Sequence, residues 1–311
     1  MKTWLIFLPA LAALLWLGCQ TNARPAADNE SVYTDFSDRD FKNYWYQGLA
    51  EITSYDLQQA RYGEIHHGHA VAVFVTEDFS AKKQVKLDNP ESAGNDRVPI
   101  LKLNLSKKFN TGIYPYSMML SVFTPVDIRN YPYSLKTTMS SQEWCGHVFT
   151  QMNLRGNEYH LTGLSYFESE GDENLDIKKY TLEDELWTRI RISPENLPVG
   201  EVTLIPGSFY SRLRHKEITP ATARISLTEN NGIMDYQIFY PEADRTLVIH
   251  FEKQFPHKIT AWEETYTSGW GPGAQKLTTR AVAKKTLIND YWSRHNNEDL
   301  GLRTELGLPL E

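Results

Sequence analysis

Apolar and polar residues alternate in many short segments of this sequence, and this alternation constrains the fold more than any other feature. HAVAVFVTEDF, from His69 to Phe79, is typical of a buried strand, and VPILKLNL, from Val98, alternates over its second half. YSMMLSVFTPV, from Tyr116, is a long apolar segment that ends at a proline. Later segments of this kind are EWCGHVFTQMNL, YHLTGLSYFE, GEVTLIPG, TARISLTE, MDYQIFYPE, RTLVIHFEKQF and HKITAWEETYTSG. Short turns such as RGNE and ENNG separate most of them, which indicates antiparallel meanders.

Helical patterns are few. In TLEDELWTRI, Thr181 and Asp184 have the spacing of a capping box. Leu186 and Ile190 in the same segment lie at helical spacing, and Pro194 marks its end. TLINDYWSRH, near the C-terminus, is a second candidate helix. We therefore expect a mainly β protein of long, curved antiparallel strands, arranged as a half-barrel or a two-lobed β meander, with one or two short helices.

The first residues predict export and lipidation. One positive charge at Lys2 precedes an almost unbroken apolar run from Trp4 to Leu17, which is shorter than the roughly 20 residues of a membrane span. LLWLGC resembles the lipobox of bacterial lipoproteins, although Trp16 stands where that pattern prefers an aliphatic residue. The resemblance implies that Cys19 becomes the mature N-terminus and is modified with diacylglycerol and an N-acyl group such as palmitate. The alternative is an ordinary secreted protein, cleaved near Ala23 to Ala27.

Location and domain organisation follow from this N-terminus. Gln20 is not the aspartate associated with retention in the inner membrane, which favours a bacterial cell envelope location at the outer membrane, facing the periplasm. We predict a signal peptide over residues 1–18, a lipidated cysteine and flexible tether over residues 19–38, and a β-rich periplasmic domain over residues 39–311. Acidic residues and a helix interrupt the strands near residues 168–200, where we expect any division into two lobes.

Cysteine content and charge exclude several classes of protein. The chain has 2 cysteines, so a lipidated Cys19 leaves Cys145 without an intramolecular partner and the chain without a disulfide framework. The net charge of −7 and the lack of a basic run argue against nucleic acid as a partner. The sequence also lacks G-x-S-x-G, H-E-x-x-H, C-x-x-C and P-loop motifs, and we expect no cofactor.

Two clusters contain residue types used in catalysis or metal binding. In SSQEWCGH, Cys145 and His147 would share a strand face, but a thiolate nucleophile needs a base that usually comes from a separate segment. The favoured interpretation is a free cysteine packed as a small hydrophobe in an apolar strand. The second cluster, GEIHHGHAV, contains zinc-ligand types, with His67 and His69 on one strand face and His66 on the other, unless a hairpin turn breaks the alternation. The candidate metal ligands are Glu64, His66, His67 and His69.

Two further features have weaker functional meaning. The acidic segment from Glu168 to Asp176 lacks the spacing of a calcium loop, and a solvated loop is the favoured interpretation. The chain contains 8 Trp and 17 Tyr, and such aromatic residues line ligand cavities and also fill ordinary β cores.

Several short segments of the sequence resemble those of a known protein family. ARYGEI, VFVTEDF, QEWCGHVFTQMNLR and DELWTRIR resemble segments of an uncharacterised family of bacterial envelope lipoproteins, some members of which carry the label septum formation inhibitor Maf. Maf proteins are cytoplasmic nucleotide pyrophosphatases with an S-x-S-P-R-R motif and an α/β pattern, and this sequence has neither, so its motifs do not support the label. A lipobox followed by long curved strands is also similar in architecture to half-barrel lipoprotein carriers of the envelope.

The expected function is that of a membrane-anchored, non-enzymatic lipoprotein that binds an apolar or amphipathic ligand, such as a lipid, or an envelope partner protein. The alternative is an envelope hydrolase that uses Cys145 and His147, or a zinc ion at His66, His67 and His69. A third alternative is a scaffolding role. An open apolar cavity would indicate the carrier, converging Glu, His and Cys side chains the hydrolase, and a filled interior with an exposed apolar patch the scaffold.

Overall fold

The computed structural model of the protein describes Met1 and residues 39–310. The predicted lipidation site Cys19 and the rest of the predicted signal peptide and tether lie outside the described residues. From residue 39 onward the described chain belongs to one compact unit. Within this range no helix has the length and apolar character needed to cross a membrane.

The described residues form one sheet of fifteen strands with four short α-helices. The strands are β1 (Ala50–Arg61), β2 (Glu64–Ser80), β3 (Arg97–Thr111), β4 (Tyr114–Pro125), β5 (Lys136–Glu143), β6 (Gly146–Arg155), β7 (Glu158–Ser165), β8 (Glu173–Lys178), β9 (Thr181–Leu182), β10 (Gly200–Ile205), β11 (Ala221–Asn230), β12 (Ile233–Tyr240), β13 (Arg245–Glu252), β14 (Ile259–Ser268) and β15 (Gln275–Asn289). The helices are α1 (Arg39–Trp45), α2 (Glu183–Ile192), α3 (Ser208–Arg214) and α4 (Gly301–Glu305). The predicted fold class, mainly β with curved antiparallel strands, is confirmed.

The strand order shows how the sheet curves. From β1 to β8 each strand pairs with the one before it, and from β10 to β15 the chain returns by the same rule until β15 pairs with β1. The two edge strands are β8 and β9, and only residues 179–180 separate them in sequence. The two edges of the sheet must therefore lie close together, and one apolar cluster contains Ile177 from one edge with Leu182 and Ile205 from the other. Residues 168–200 thus contain both edge strands, the two residues that join them, and α2.

Helix α2 lies inside the curved sheet. Leu186 and Ile190 are fully buried in the main core, and the ring of Trp187 stands edge-on to that of Trp262 at 5.2 Å. The predicted helix in TLEDELWTRI is therefore present, but Thr181 belongs to β9 and Leu182 occupies the N-cap position, so the predicted capping box does not form. A helix that is buried on all sides takes its stability from packing rather than from its cap.

The second predicted helix, TLINDYWSRH, is wrong. Its first residues complete β15, in which Leu287 pairs with Ile52 of β1, and its later residues form a 3-10 turn from Tyr291 to Ser293. Leu287 also packs against an apolar cluster on the outer side of the sheet that includes Leu306. Pairing with β1 satisfies the backbone of this segment and overrides its weak helical pattern.

Candidate functional site

Five of the buried charged residues lie close together inside the sheet. Strand alternation points Lys107 inward between Leu105 and Phe109 on β3. Alternation also points Arg245 on β13 and Glu264 on β14 inward. The first turn of α2 has three acidic residues and supplies two of them, Glu183 and Asp184, to this group. We call Lys107, Glu183, Asp184, Arg245 and Glu264 the interior charge cluster; each of them is at most 5% exposed.

Arg245 holds two of the carboxylates. Its terminal nitrogens donate to both oxygens of Glu183 at 2.6 Å, and its Nε donates to Glu264 Oε1 at 2.8 Å. Tyr240 donates a further hydrogen bond to Glu183 at 2.7 Å, and the ring of Tyr210 covers the guanidinium at 4.2 Å. Burial opposes the charge of Arg245, but the two carboxylates raise the pKa of Arg245 well above its ordinary value. Arg245 therefore stays charged and fixes the start of α2 against the sheet.

Unlike Arg245, neither Asp184 nor Lys107 forms an ion pair with an oppositely charged side chain in the described structure. Asp184 accepts hydrogen bonds from the backbone N–H and the hydroxyl of Ser208, and burial raises the pKa of Asp184 to about 7. The Lys107 ammonium lies 4.9 Å from the ring centre of Phe209 and 5.8 Å from that of Trp262. Within the described chain it has no hydrogen bond and no ion pair, and burial lowers its pKa.

The space beside Lys107 is small. The cavity that it lines with Asp184 and Trp262 has a volume of about 30 Å³. A water molecule needs roughly 10 to 15 Å³ of such volume, whereas small-molecule sites usually have about 300 to 1,000 Å³. The interior is thus filled by α2 and by large side chains, and a cavity of this size does not hold an apolar cargo.

Helix α3 lies over the interior charge cluster and has a cleft on each side. The larger cleft, about 380 Å³, lies between α3 and strands β11 to β14. We call it the tyrosine cleft after Tyr210, Tyr240 and Tyr266, which line it together with Arg214 and Arg245. Its other charged lining residues are Lys216, Glu217 and Glu242. Its volume is within the range of small-molecule sites.

The second cleft, about 220 Å³, lies between α3 and strands β5 to β7. Glu170 accepts hydrogen bonds there from Arg212, His215 and Ser165. Burial opposes the charge of Glu170, but these bonds lower the pKa of Glu170. The acidic segment that the sequence analysis interpreted as a solvated loop is therefore partly held against α3 through Glu170.

Two arginines near the tyrosine cleft lack a carboxylate partner among the described residues. Arg61 is 4% exposed and donates to the carbonyl of Leu213 and to two tyrosine hydroxyls, while its Nε has no partner. Arg214 donates to the carbonyl of Gly269 at 3.0 Å. The guanidinium carbons of Arg61 and Arg214 lie 5.4 and 5.3 Å from the ring centre of Trp270. Trp270 therefore lies next to two guanidinium groups that form no ion pair with a carboxylate among the described residues.

Exposed aromatic and aliphatic side chains stand at the hairpin ends around this site. Because consecutive strands are antiparallel, alternate turns lie at the same end of the sheet. The end that α3 occupies has the turns β1–β2, β3–β4, β5–β6, β7–β8 and β14–β15. We call the exposed residues of these turns the aromatic rim: Tyr62, Ile113, Trp144, Tyr166 and Trp270. Their exposed fractions range from 42% for Tyr62 to 84% for Ile113.

Ring contacts connect much of this rim. Tyr62 lies 5.9 Å from Trp270 between ring centres, and Tyr114 donates a hydrogen bond to the Tyr62 hydroxyl at 3.2 Å. Tyr114 in turn lies 6.4 Å from Trp144. Three of the five rim residues, Tyr62, Trp144 and Trp270, therefore belong to one connected set of rings.

Cys145 is not packed in a strand, contrary to the favoured interpretation. Glu143 pairs with Gly146, so Trp144 and Cys145 form a two-residue hairpin turn in which Cys145 is exposed. Because β5 ends at this turn, the alternation of inward and outward side chains does not apply to Cys145, which lies outside the sheet. A hydrogen bond to Glu143 raises the pKa of the Cys145 thiol. His147 is exposed at the start of β6, and no hydrogen bond joins it to Cys145 in the described structure.

The histidine segment lies within β2, after the turn rather than across it. The turn residues are Tyr62 and Gly63, both with positive φ. His66 points inward, where its ring stacks on Phe109 at 6.5 Å and its Nε2 lies 3.0 Å from the carbonyl oxygen of Arg61. His67 and Glu64 are exposed, and His69 is half-buried. Among the described residues, no three or more His, Cys, Asp or Glu side chains are placed to hold a metal ion.

The interior charge cluster is not among the sites predicted from the sequence. A signal for Lys107 exists, because Leu101, Leu103, Leu105 and Phe109 define an inward face on which Lys107 is the exception. Arg245 and Glu264 likewise fall on the inward faces of predicted strands. No pattern in the sequence shows that these faces meet the start of α2.

The sequence and structure were compared with known proteins. No protein-family model matches the sequence, and no curated protein matches it. The structure is similar to a crystal structure of a beta-barrel-like protein of domain of unknown function DUF1849 from Brucella abortus, with 11% sequence identity and a TM-score of 0.44 over 78% of this chain and 98% of that chain.

Proposed function

We propose that this protein is a non-enzymatic binding protein of the bacterial envelope, tethered to the membrane through lipidated Cys19, and that it binds an amphipathic ligand with an anionic group in the tyrosine cleft. The small interior cavity argues against cargo inside the sheet, which supports a ligand site in the cleft beside α3. The hydrolase alternative gains no support, because the Cys145 thiol pKa is raised and His147 forms no hydrogen bond to Cys145.

The observation that carries this proposal is the pair of arginines without carboxylate partners. Arg214 lines the tyrosine cleft, and its guanidinium also lies 6.0 Å from the ring centre of Tyr266. A guanidinium that is held in place by a carbonyl and aromatic rings keeps donors free for a carboxylate or a phosphate. Arg61 adds a second buried charge behind Trp270, which strengthens the local positive potential.

The rest of the cleft suits the apolar part of such a ligand. Tyr210, Tyr240 and Tyr266 line the cleft together with three threonines, Thr219, Thr222 and Thr267. Tyrosine combines a large apolar surface with a polar end, which favours ligands that have both characters. Glu217 and Glu242 also line the cleft, and they disfavour ligands with several negative charges.

The test combines identification of the ligand with a charge variant. The full chain is purified from envelopes, its co-purifying compounds are identified by native mass spectrometry after lipid extraction, and dodecanoate below its micelle-forming concentration is titrated by calorimetry. Arg214→Gln is expected to weaken dodecanoate binding roughly tenfold to a hundredfold, because a hydrogen bond to a charged group contributes about 1.5–3 kcal/mol.

Arg224→Gln is the matched control, because Arg224 is exposed on β11 and pairs with Glu201 away from the tyrosine cleft. Its affinity for dodecanoate should equal that of the wild type. Equal affinities for wild type and Arg214→Gln, or no binding of dodecanoate and no co-purifying amphiphile, would contradict the proposal.

A further inference from the structure

We propose that the aromatic rim is a membrane-docking surface that inserts into the interfacial region of a lipid bilayer. This inference extends the proposed function, and it rests on that function only in taking Cys19 as the membrane anchor. It adds a second contact with the membrane, which the folded domain itself makes and which is separate from the acyl chains predicted at Cys19.

The composition and position of the rim fit a bilayer. Trp144, Tyr166 and Trp270 are 50% to 68% exposed, and Ile113 is 84% exposed at the end of the β3–β4 hairpin. Trp and Tyr concentrate at membrane interfaces, where the ring meets acyl chains and the polar group meets head groups. The rim residues come from turns at one end of the sheet, so they can enter an interface together without removing strand backbone from its hydrogen bonds.

Charge complementarity favours lipid phosphates next to the rim. Arg214 is half-buried, its guanidinium carbon lies 5.3 Å from the ring centre of Trp270, and it has no carboxylate partner in the described residues. A lipid phosphate is a strong acceptor for such a guanidinium, whereas the buried Arg61, 5.4 Å from the same ring centre, adds only positive potential behind the ring. A protein partner would also cover aromatic rings, but an arginine beside an exposed tryptophan can keep its charged group at the level of the lipid head groups while the ring enters the interface.

The length of chain before the domain allows the rim to face the membrane that holds the anchor. Helix α1 lies at the opposite end of the sheet from the rim, since the carbonyl of Trp45 accepts a hydrogen bond from Thr76 near the end of β2. The 13 residues from Gly63 to Thr76 correspond to about 43 Å of strand. The 20 residues from Cys19 to Arg39 reach at most about 70 Å. The segment is therefore long enough for the domain to turn its rim toward the anchoring bilayer.

The exposed Cys145 provides a probe within the rim. The full lipidated chain is labelled at Cys145 with an environment-sensitive fluorophore and inserted into vesicles of phosphatidylethanolamine with a minor share of phosphatidylglycerol. Docking predicts a blue-shifted emission and strong quenching by nitroxide-bearing lipids. The matched control is Cys145→Ala/Ser92→Cys, which moves the label to an exposed site at the opposite end of the sheet and should show neither effect.

A rim variant separates docking from ligand binding. Ile113→Ser changes a side chain that is exposed on a turn and does not line the tyrosine cleft. It should lower the ratio of docked to undocked protein about tenfold while leaving dodecanoate binding at the wild-type level. Arg214→Gln should weaken both dodecanoate binding and quenching, because Arg214 lines the tyrosine cleft and also lies beside Trp270; unchanged quenching would contradict the contact with lipid phosphate.

Three results would overturn the docking proposal. The first is emission from Cys145-labelled protein that is the same in vesicles as in detergent-free buffer, with no quenching by nitroxide lipids. The second is an Ile113→Ser variant that docks as well as the wild type. The third is a blue shift that appears without lipid and grows with protein concentration, which would assign the rim to contact between two copies of the chain.

Discussion

The raised pKa of Asp184 predicts that the replacement Asp184→Asn changes how stability depends on pH. In the folded protein burial raises the pKa of Asp184 from its ordinary value of 3.8 to about 7. Below pH 3.8 the carboxyl group is protonated in both states, so it contributes no pH dependence there. Between about pH 4 and 7 the unfolded chain ionises while the folded protein keeps the proton, and the free energy of unfolding falls as pH rises.

The size of this effect follows from the two pKa values. A difference of one pKa unit corresponds to 1.36 kcal/mol, so the gap between 3.8 and about 7 corresponds to about 4 kcal/mol at full ionisation. Asparagine is nearly the same size and keeps an oxygen that can accept from Ser208. Relative to the wild type, the Asp184→Asn variant should therefore gain about 4 kcal/mol between pH 4 and pH 8.

The measurement is urea unfolding at a series of pH values, on protein that begins at Gln20, followed by tryptophan fluorescence. The quantity of interest is the difference in unfolding free energy between variant and wild type, because all other titrating groups cancel in it. Asp244→Asn is the matched control, since Asp244 is exposed and pairs with Lys276. Its difference curve should stay within about 0.5 kcal/mol across the range. A flat curve for Asp184→Asn would refute the assignment of a protonated, buried carboxyl group.

Three further predictions concern other features of the molecule. Arg245→Met should lower the free energy of unfolding by about 3–5 kcal/mol in urea titrations, because it leaves two buried carboxylates without their partner; a loss below about 1 kcal/mol would contradict this. A Cβ at Gly207 would lie 2.3 Å from a buried carboxylate oxygen, so Gly207→Ala should cost about 1–3 kcal/mol in thermal unfolding, whereas Gly273→Ala, in open space, should cost much less. Because Glu143 raises the Cys145 thiol pKa, Glu143→Gln should speed alkylation of Cys145 at pH 7, and an unchanged rate would exclude that effect.

The buried charges also explain why α2 adopts one orientation inside the sheet. An arginine that bonds to carboxylates on α2 and on β14 fixes the rotation of the helix relative to the sheet. Apolar contacts alone tolerate small rotations of a helix, whereas these directional bonds do not. We therefore interpret the pairing of Arg245 with Glu183 and Glu264 as the feature that orients α2, whose Asp184 in turn accepts hydrogen bonds from Ser208 at the start of α3.

Much of the fold could be predicted from the sequence, because strand patterns are local. Period-two alternation identified β2, β3 and β4 and most later strands, since each strand buries one face in the core. The sequence patterns do not predict β1, β5, β8, β9 or β15, although β1 and β15 pair at the centre of the sheet. β1 buries polar residues such as Glu51, Gln59 and Arg61, so it lacks the apolar alternation that indicates the other strands.

The candidate site was decided by tertiary structure. The sequence by itself determined that Lys107 would stand among inward-facing leucines, and it predicted the helix whose first turn carries Asp184. It did not determine that these two residues, more than seventy positions apart, would line one cavity. Alternation and helical spacing act over a few residues, whereas the meeting of β3 with α2 depends on the closure of all fifteen strands around the helix. The same closure brings hairpin ends that are far apart in sequence to one end of the sheet, where their exposed rings form the aromatic rim.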